Sequence, residues 1–154
     1  RLALRQTRPE PRVEWGLLVG GRGLATAMID VSDGLSSDLA HLCRASRVGA
    51  HVESESLPVD SDLQALMPAE ALALALDGGE DFELLFAARP RDAAKLPAEV
   101  GGVPVTRIGE ITAARGRITL LEDGHARPLK PGGFDHFSSP AVREGAVTEG
   151  KRQK

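Results

Sequence analysis

The apolar positions of this chain change their spacing several times, and each change marks an element. Val13, Trp15, Leu17 and Leu18 follow Pro11, which suits the first turn of a helix, and Gly20, Gly21 and Gly23 end that helix. Residues 25–29 (ATAMI) form a short apolar run with a β-branched end; they predict a buried strand that delivers Asp30 to its carboxyl end. Ser32, Asp33 and Gly34 then offer N-cap chemistry. Leu35, Leu39, Leu42 and Cys43 recur at helical spacing as far as Arg47, with Gly49 as the stop.

Residues 50–55 predict a second strand, Leu57-Pro58 resists helix, and residues 62–67 predict a short helix that Pro68 breaks. The segment 69–76 (AEALALAL) alternates like a strand, but its alanines, leucines and glutamate favour helix and Pro68 suits a helix start, so helix is expected. Residues 77–81 (DGGED) form a polar, glycine-rich turn, residues 82–88 a strand, and residues 90–95 a short helix. Residues 103–111 and 118–121 are strand candidates, and Asp123-Gly124 is a hairpin-type turn into residues 126–129. Alternating strands and helices followed by a β-rich end predict an α/β (α+β) fold, a mixed β-sheet with helices packed on it. Residues 138–154 lack periodicity and end in Lys-Arg-Gln-Lys, so one domain is expected over residues 1–137 and a disordered tail over 138–154.

Composition narrows the function. With 42% hydrophobic and 27% charged residues over 154 positions, the chain is neither disordered nor membrane-like, and about 150 residues suffice for a core without staples. No apolar run approaches the ~18 residues of a membrane span, and the start lacks a secretory apolar region, so a soluble, cytoplasmic protein with no membrane partner is expected. The single cysteine, Cys43, excludes an internal disulfide and falls on a helix face that reads as buried. A net charge of −3, with basic residues mostly at the two ends and 3% aromatics, argues against nucleic acid as a partner. The first residue is Arg1, not Met, which leads us to expect a fragment or a processed chain.

Three segments carry candidate chemistry. Asp30-Val-Ser-Asp-Gly34 lies where a strand hands over to a helix, a place where open α/β sheets bind ligands and helix N-termini favour phosphate. Two carboxylates three positions apart, with a hydroxyl between them, can hold one or two magnesium ions shared with substrate phosphates. Helix capping and a turn-bound Asp30 are the structural alternative, but capping explains one acid and not both. In Gly78-Gly-Glu-Asp-Phe-Glu83, paired glycines let a backbone approach a ligand; a helix stop followed by a strand start explains the segment equally well. Glu80 is the better candidate for a ligand contact there. In Gly133-Phe-Asp-His-Phe137, two aromatics bracket Asp135 and His136. A flat or cationic ligand would stack there, or the phenylalanines would plug the core, and no nucleophile motif supports a catalytic triad.

In this order and spacing the motifs resemble those of the thiamine-monophosphate kinase family, in the superfamily that also holds aminoimidazole ribonucleotide synthetase and selenophosphate synthetase. The matching stretches are Arg8-Pro-Glu-Pro-Arg12, Ala27-Met-Ile-Asp-Val-Ser-Asp-Gly-Leu35 with Asp38-Leu39, Gly78-Gly-Glu-Asp-Phe-Glu-Leu-Leu-Phe86, and Gly133-Phe-Asp-His-Phe137. The resemblance implies ATP-dependent phosphorylation of thiamine monophosphate to thiamine diphosphate with Mg2+. It implies Asp30 and Asp33 as metal ligands, Ser32 as a nucleotide-phosphate contact, Glu80 as a substrate contact and Phe134 as the aromatic on the substrate's ring system. An acid beside an aromatic suits a cationic thiazolium, and an acceptor phosphate already ionised near neutral pH requires no general base. Family members are about twice as long, beginning with another domain that supplies further aspartates, much of the ATP site and the main homodimer contact. The resemblance therefore implies a C-terminal domain inactive without that partner domain. A noncatalytic folded module, or a relative with another phosphate acceptor, are the alternatives.

Overall fold

The computed structural model describes residues 8–132, so the expected tail and the Gly133–Phe137 island, with Phe134, lie outside the described residues. Helix α1 (Val13–Gly21) leads into strand β1 (Ala25–Val31), helix α2 (Leu35–Ser46) and strand β2 (Gly49–Glu53). Two short helices, α3 (Ser61–Leu66) and α4 (Ala71–Asp77), precede β3 (Glu83–Ala88) and α5 (Pro90–Ala93). The β-rich end follows as β4 (Glu99–Val100), β5 (Val103–Pro104), β6 (Gly109–Thr112), β7 (Ile118–Glu122) and β8 (His125–Pro128). The mixed character shows in the four-stranded sheet, ordered β6-β2-β7-β8, in which β2 runs antiparallel to β6 and parallel to β7.

The site is carried by a separate antiparallel ribbon of β1 and β3. Its register sets Met28 opposite Phe86 and Asp30 opposite Leu84 on one face, and Ile29 opposite Leu85 and Val31 opposite Glu83 on the other. The first face meets α1. Leu84 and Phe86 pack on Trp15, Val19 and Leu24, the Trp15 and Phe86 rings stack 6.2 Å apart, and the indole N–H donates to the Val103 carbonyl at 2.9 Å. On the second face Val31 and Leu85 join the larger core, where Leu35, Leu39 and Cys43 of α2 and Leu76 of α4 cover Val52, Ile118 and Leu120 of the sheet. The ribbon is thus clamped between two cores, which fixes the height of the loops at its end.

Four expectations are corrected. Strand β1 is not buried throughout: Thr26, Met28 and Asp30 are exposed, because a two-stranded ribbon is covered fully on neither face among the described residues. Helix α2 is not capped by Ser32 or Asp33; its N-cap is Gly34, with no side-chain cap. The helix ends on Arg47 in the left-handed conformation (φ 57°), and Gly49 already belongs to β2. Residues 103–111 are not one strand but β5 and β6, which pair with different partners; Pro104 lacks the N–H needed to continue a ladder.

Two carboxylates tie the periphery together. Asp92, held by Lys95 at 3.0 Å and flanked by Arg91 and Arg89, stays below the usual carboxylate range, as does Glu55, which accepts the Asp123 N–H at 2.8 Å. Both are favoured ionised in the folded state, so their contribution is present above the ordinary carboxylate range and lost as pH falls through it. We expect urea midpoints to be level near neutral pH and to decline below about pH 4, the reference range for Asp and Glu. Asp92→Asn should flatten part of that decline.

Candidate functional site

Strand β1 ends in a buried anchor, Val31, with exposed Asp30 before it and the turn Ser32-Asp33-Gly34 after it. The turn is shaped from the helix side. Asp38, in the first turn of α2 and 2% exposed, uses one carboxylate oxygen to accept the backbone N–H groups of both Ser32 and Asp33 at 3.0 Å. Charged acceptors make the stronger hydrogen bonds, and a carboxylate is also favoured near a helix N-terminus. Gly34 takes φ 111°, and a Cβ there would stand 3.1 Å from the Asp77 backbone, so the turn needs glycine on both counts.

The second acidic loop is locked onto the first. The Glu80 N–H donates to the Ser32 carbonyl and the Phe82 N–H to the Val31 carbonyl, each at 2.8 Å. Gly79 makes the approach possible, since a Cβ there would lie 2.9 Å from the Ser32 carbonyl oxygen. Glu80 (φ 67°) and Phe82 (φ 51°) both hold the left-handed conformation that non-glycine residues avoid, at a cost of about 1–2 kcal/mol each. Such strain gathers where the surrounding structure over-determines a functional loop. Between them, burial of the Asp81 carboxyl among loop atoms, and then the charge of Glu83, push Asp81 up although much of the residue's surface is open. Glu83 itself receives Arg12 in a two-pronged pair, Nε at 2.9 Å and the terminal nitrogen at 2.7 Å, which raises the Arg12 pKa and ties the segment before α1 to the base of the loop.

A third contact brings in the chain's end. Ser36, 1% exposed, donates to Asp77 Oδ1 at 2.5 Å and accepts the Gly132 N–H at 3.0 Å. The fold therefore assembles Asp30, Ser32, Asp33 and the Glu80 backbone at one end of the ribbon, and leads the residue before the aromatic island to the same helix. Neither Ser36 nor Asp77 stands out in the sequence, and Asp38 does so only as part of a motif. A small hydroxyl and a carboxylate on the apolar-periodic side of α2 were the available signal. Cys43 is buried, and burial pushes its thiol up, which keeps it unreactive.

Among the described residues no three His, Cys, Asp or Glu side chains converge as a metal cage. Asp30 at the end of β1 and Asp33 on the turn after it are the hard oxygen donors that could hold magnesium, an ion that keeps several waters and completes its shell with substrate phosphates. No helix among the described residues is long and apolar enough to cross a membrane.

Fold and loops together define an α/β domain with acidic, glycine-bearing turns at its strand ends. The chain belongs to the family described as AIR synthase related protein, C-terminal domain, which it matches over residues 4–120. Thiamine-monophosphate kinase of Escherichia coli strain K12 is 40% identical over 142 residues, which cover 90% of this chain and 43% of that protein. The crystal structure of thiamine-monophosphate kinase from Stenotrophomonas maltophilia K279a is similar at 44% identity and TM-score 0.71, over 82% of this chain and 39% of that one. AaThiL complexed with AMPPCP and TMP is similar at 29% identity and TM-score 0.72, over 88% of this chain and 41% of that one. The chain spans less than half the length of the relatives it matches.

Proposed function

We propose that this chain is the C-terminal, substrate-side part of a thiamine-monophosphate kinase, acting with a domain equivalent to the part of its relatives that it does not match. The observation that carries the reading is the backbone lock between the loop of Asp30, Ser32 and Asp33 and the loop of Glu80. It supports the reading because it holds the two acidic loops together through their backbones, and rigid placement is what phosphoryl transfer needs. The relatives named thiamine-monophosphate kinase, and one solved with AMPPCP and TMP, support the substrate pair.

In this reading Asp30 and Asp33 hold Mg2+, which when bound neutralises charge on the ATP phosphates. Ser32 orients those phosphates, Glu80 faces the thiamine phosphate, and Phe134 packs on its rings. An oxygen of the acceptor phosphate attacks the γ-phosphorus of ATP, the bond to the β-phosphate oxygen breaks, and ADP leaves with the electron pair. The acceptor is already ionised, so no residue of this chain needs to take a proton. In line with the family, we place the protein in the cytoplasm and expect a homodimer in the full-length enzyme.

The test joins this chain to the N-terminal part of the Stenotrophomonas relative and assays ATP, Mg2+ and thiamine monophosphate. Thiamine diphosphate production by the joined protein, and none by the 154 residues alone, is the expected result. No product from a folded joined protein overturns the reading in favour of a noncatalytic module. Product only from another phosphorylated acceptor overturns the substrate assignment. Glu80→Gly separates backbone from side chain. Glycine relieves the left-handed conformation, so thermal stability should hold or rise by up to about 1 kcal/mol, while affinity for thiamine monophosphate falls. Calorimetric titration beside thermal unfolding checks both halves of that expectation.

A further inference from the structure

We propose that Arg12 is a positioning residue: through its pair with Glu83 it braces the loop that carries Glu80, and through that loop it sets affinity for thiamine monophosphate. The inference rests on the functional reading above, in which Glu80 meets that substrate. It starts from a residue that its own helix does not explain. Arg12 is the N-cap of α1, where its side chain makes no capping hydrogen bond, and a cation at that end opposes the helix dipole. Asp, Ser, Thr or Asn would serve the helix better. Arg12 serves Glu83 instead, 71 positions away: its Nε and a terminal nitrogen donate to the two carboxylate oxygens at 2.9 and 2.7 Å. A two-pronged pair fixes orientation as well as distance. With the Arg12 side chain only 20% exposed, it differs from the loose surface pairs that contribute nothing measurable.

Both partners are mounted on well-packed parts of the fold. Trp15 and Val19 seat α1 on Leu84 and Phe86, so Arg12 leaves a helix already fixed on the strand whose first residue is Glu83. Glu83 forms the last rung of the ribbon with Val31, and the loop lies directly before it, with the Phe82 N–H on the Val31 carbonyl and the Glu80 N–H on the Ser32 carbonyl. Glu80 and Phe82 are both left-handed, so this backbone relaxes unless its end is held. The neighbouring turn of Ser32 and Asp33 has its own brace in Asp38. Arg12 is the corresponding brace for the Glu80 loop. A loop held in its binding conformation spares the substrate the cost of ordering it. Loss of Arg12 therefore weakens binding of thiamine monophosphate, while the turn proposed to hold Mg2+ and nucleotide keeps its support.

The experiment uses the joined protein with Arg12→Ala, Glu83→Gln, the two combined, and Arg12→Lys. Arg12→Ala and Glu83→Gln should each raise KM for thiamine monophosphate roughly threefold to tenfold, the scale of a partly exposed charge-assisted pair, with kcat and the KM for ATP near their parent values. The combined variant should be no worse than either single one, because the second change removes nothing once the pair is gone. Arg12→Lys keeps the charge without the fork and should fall between alanine and parent. Amide exchange at Glu80 and Phe82, followed by NMR, should accelerate in both single variants while the amides of β7 keep their parent rates. Unchanged exchange at Glu80 and Phe82 overturns the brace. Faster exchange with an unchanged KM for thiamine monophosphate overturns its role in substrate affinity. Effects that multiply in the combined variant show Arg12 and Glu83 acting separately and overturn the pair. A fall in kcat, an equal rise in both KM values, or faster exchange in β7 indicates general loosening and also overturns it. A parent protein that shows no turnover of thiamine monophosphate overturns the functional reading instead, and the exchange data still decide the brace.

Discussion

Asp33→Asn in the joined protein should lower kcat for thiamine diphosphate formation by roughly 100-fold or more, the usual size of a preorganised charge-stabilising contribution. The substitution keeps the side chain's shape, and Gly34 and Asp38, which set the turn's geometry, are untouched. What it removes is one negative charge and one hard oxygen donor from the pair, Asp30 and Asp33, proposed to hold magnesium. The loss should therefore shrink as Mg2+ is raised, and the Mg2+ concentration for half-maximal rate should move upward. Steady-state rates across a Mg2+ series, with circular dichroism to show an intact fold, make the check. A variant that turns over at the parent rate at every Mg2+ concentration would remove Asp33 from the metal site.

The second large effect is on stability. Asp38→Ala should destabilise the chain by about 2–4 kcal/mol, because two backbone N–H groups, those of Ser32 and Asp33, lose their acceptor together and an unsatisfied donor costs about 1–3 kcal/mol. Both residues are only partly buried, so water recovers some of the loss and the lower half of the summed range applies. Asp38→Asn is the informative partner. Both N–H groups share one oxygen, and an amide oxygen there can still accept them, so the cost should fall to about 1 kcal/mol, mostly the weaker neutral hydrogen bonds. Urea unfolding of the two variants gives the difference directly. Equal midpoints for alanine and parent would show that the turn is held by other contacts.

The handover from β1 through the acidic turn into α2 was legible in the sequence, since the apolar run at 25–29 and the leucine repeat after Gly34 are strong local signals. The cap was not. Asp38 occupies a buried helix position, and nothing local distinguishes an acid that reaches back to Ser32 from one that faces water. The lock between Ser32 and Glu80 is also invisible in the chain, because it is made by backbone groups that every residue carries. Likewise the apolar run of residues 84–88 reveals a strand but not that its partner is β1, and not that the two stand apart from the larger sheet. Local periodicity reports which face is apolar, while the partner across that face is decided by packing between distant segments.

The ribbon also bears on the order in which the molecule assembles. Its strands join Val31 to Glu83 across the whole of α2, β2, α3 and α4, and pairings between remote segments form late because the loop must close before any contact rewards it. The helices and the β7–β8 hairpin have no such delay. Both acidic loops hang on the pairing of β1 with β3, so the nascent chain is expected to acquire its helices and the β7–β8 hairpin well before the two loops of the candidate site meet.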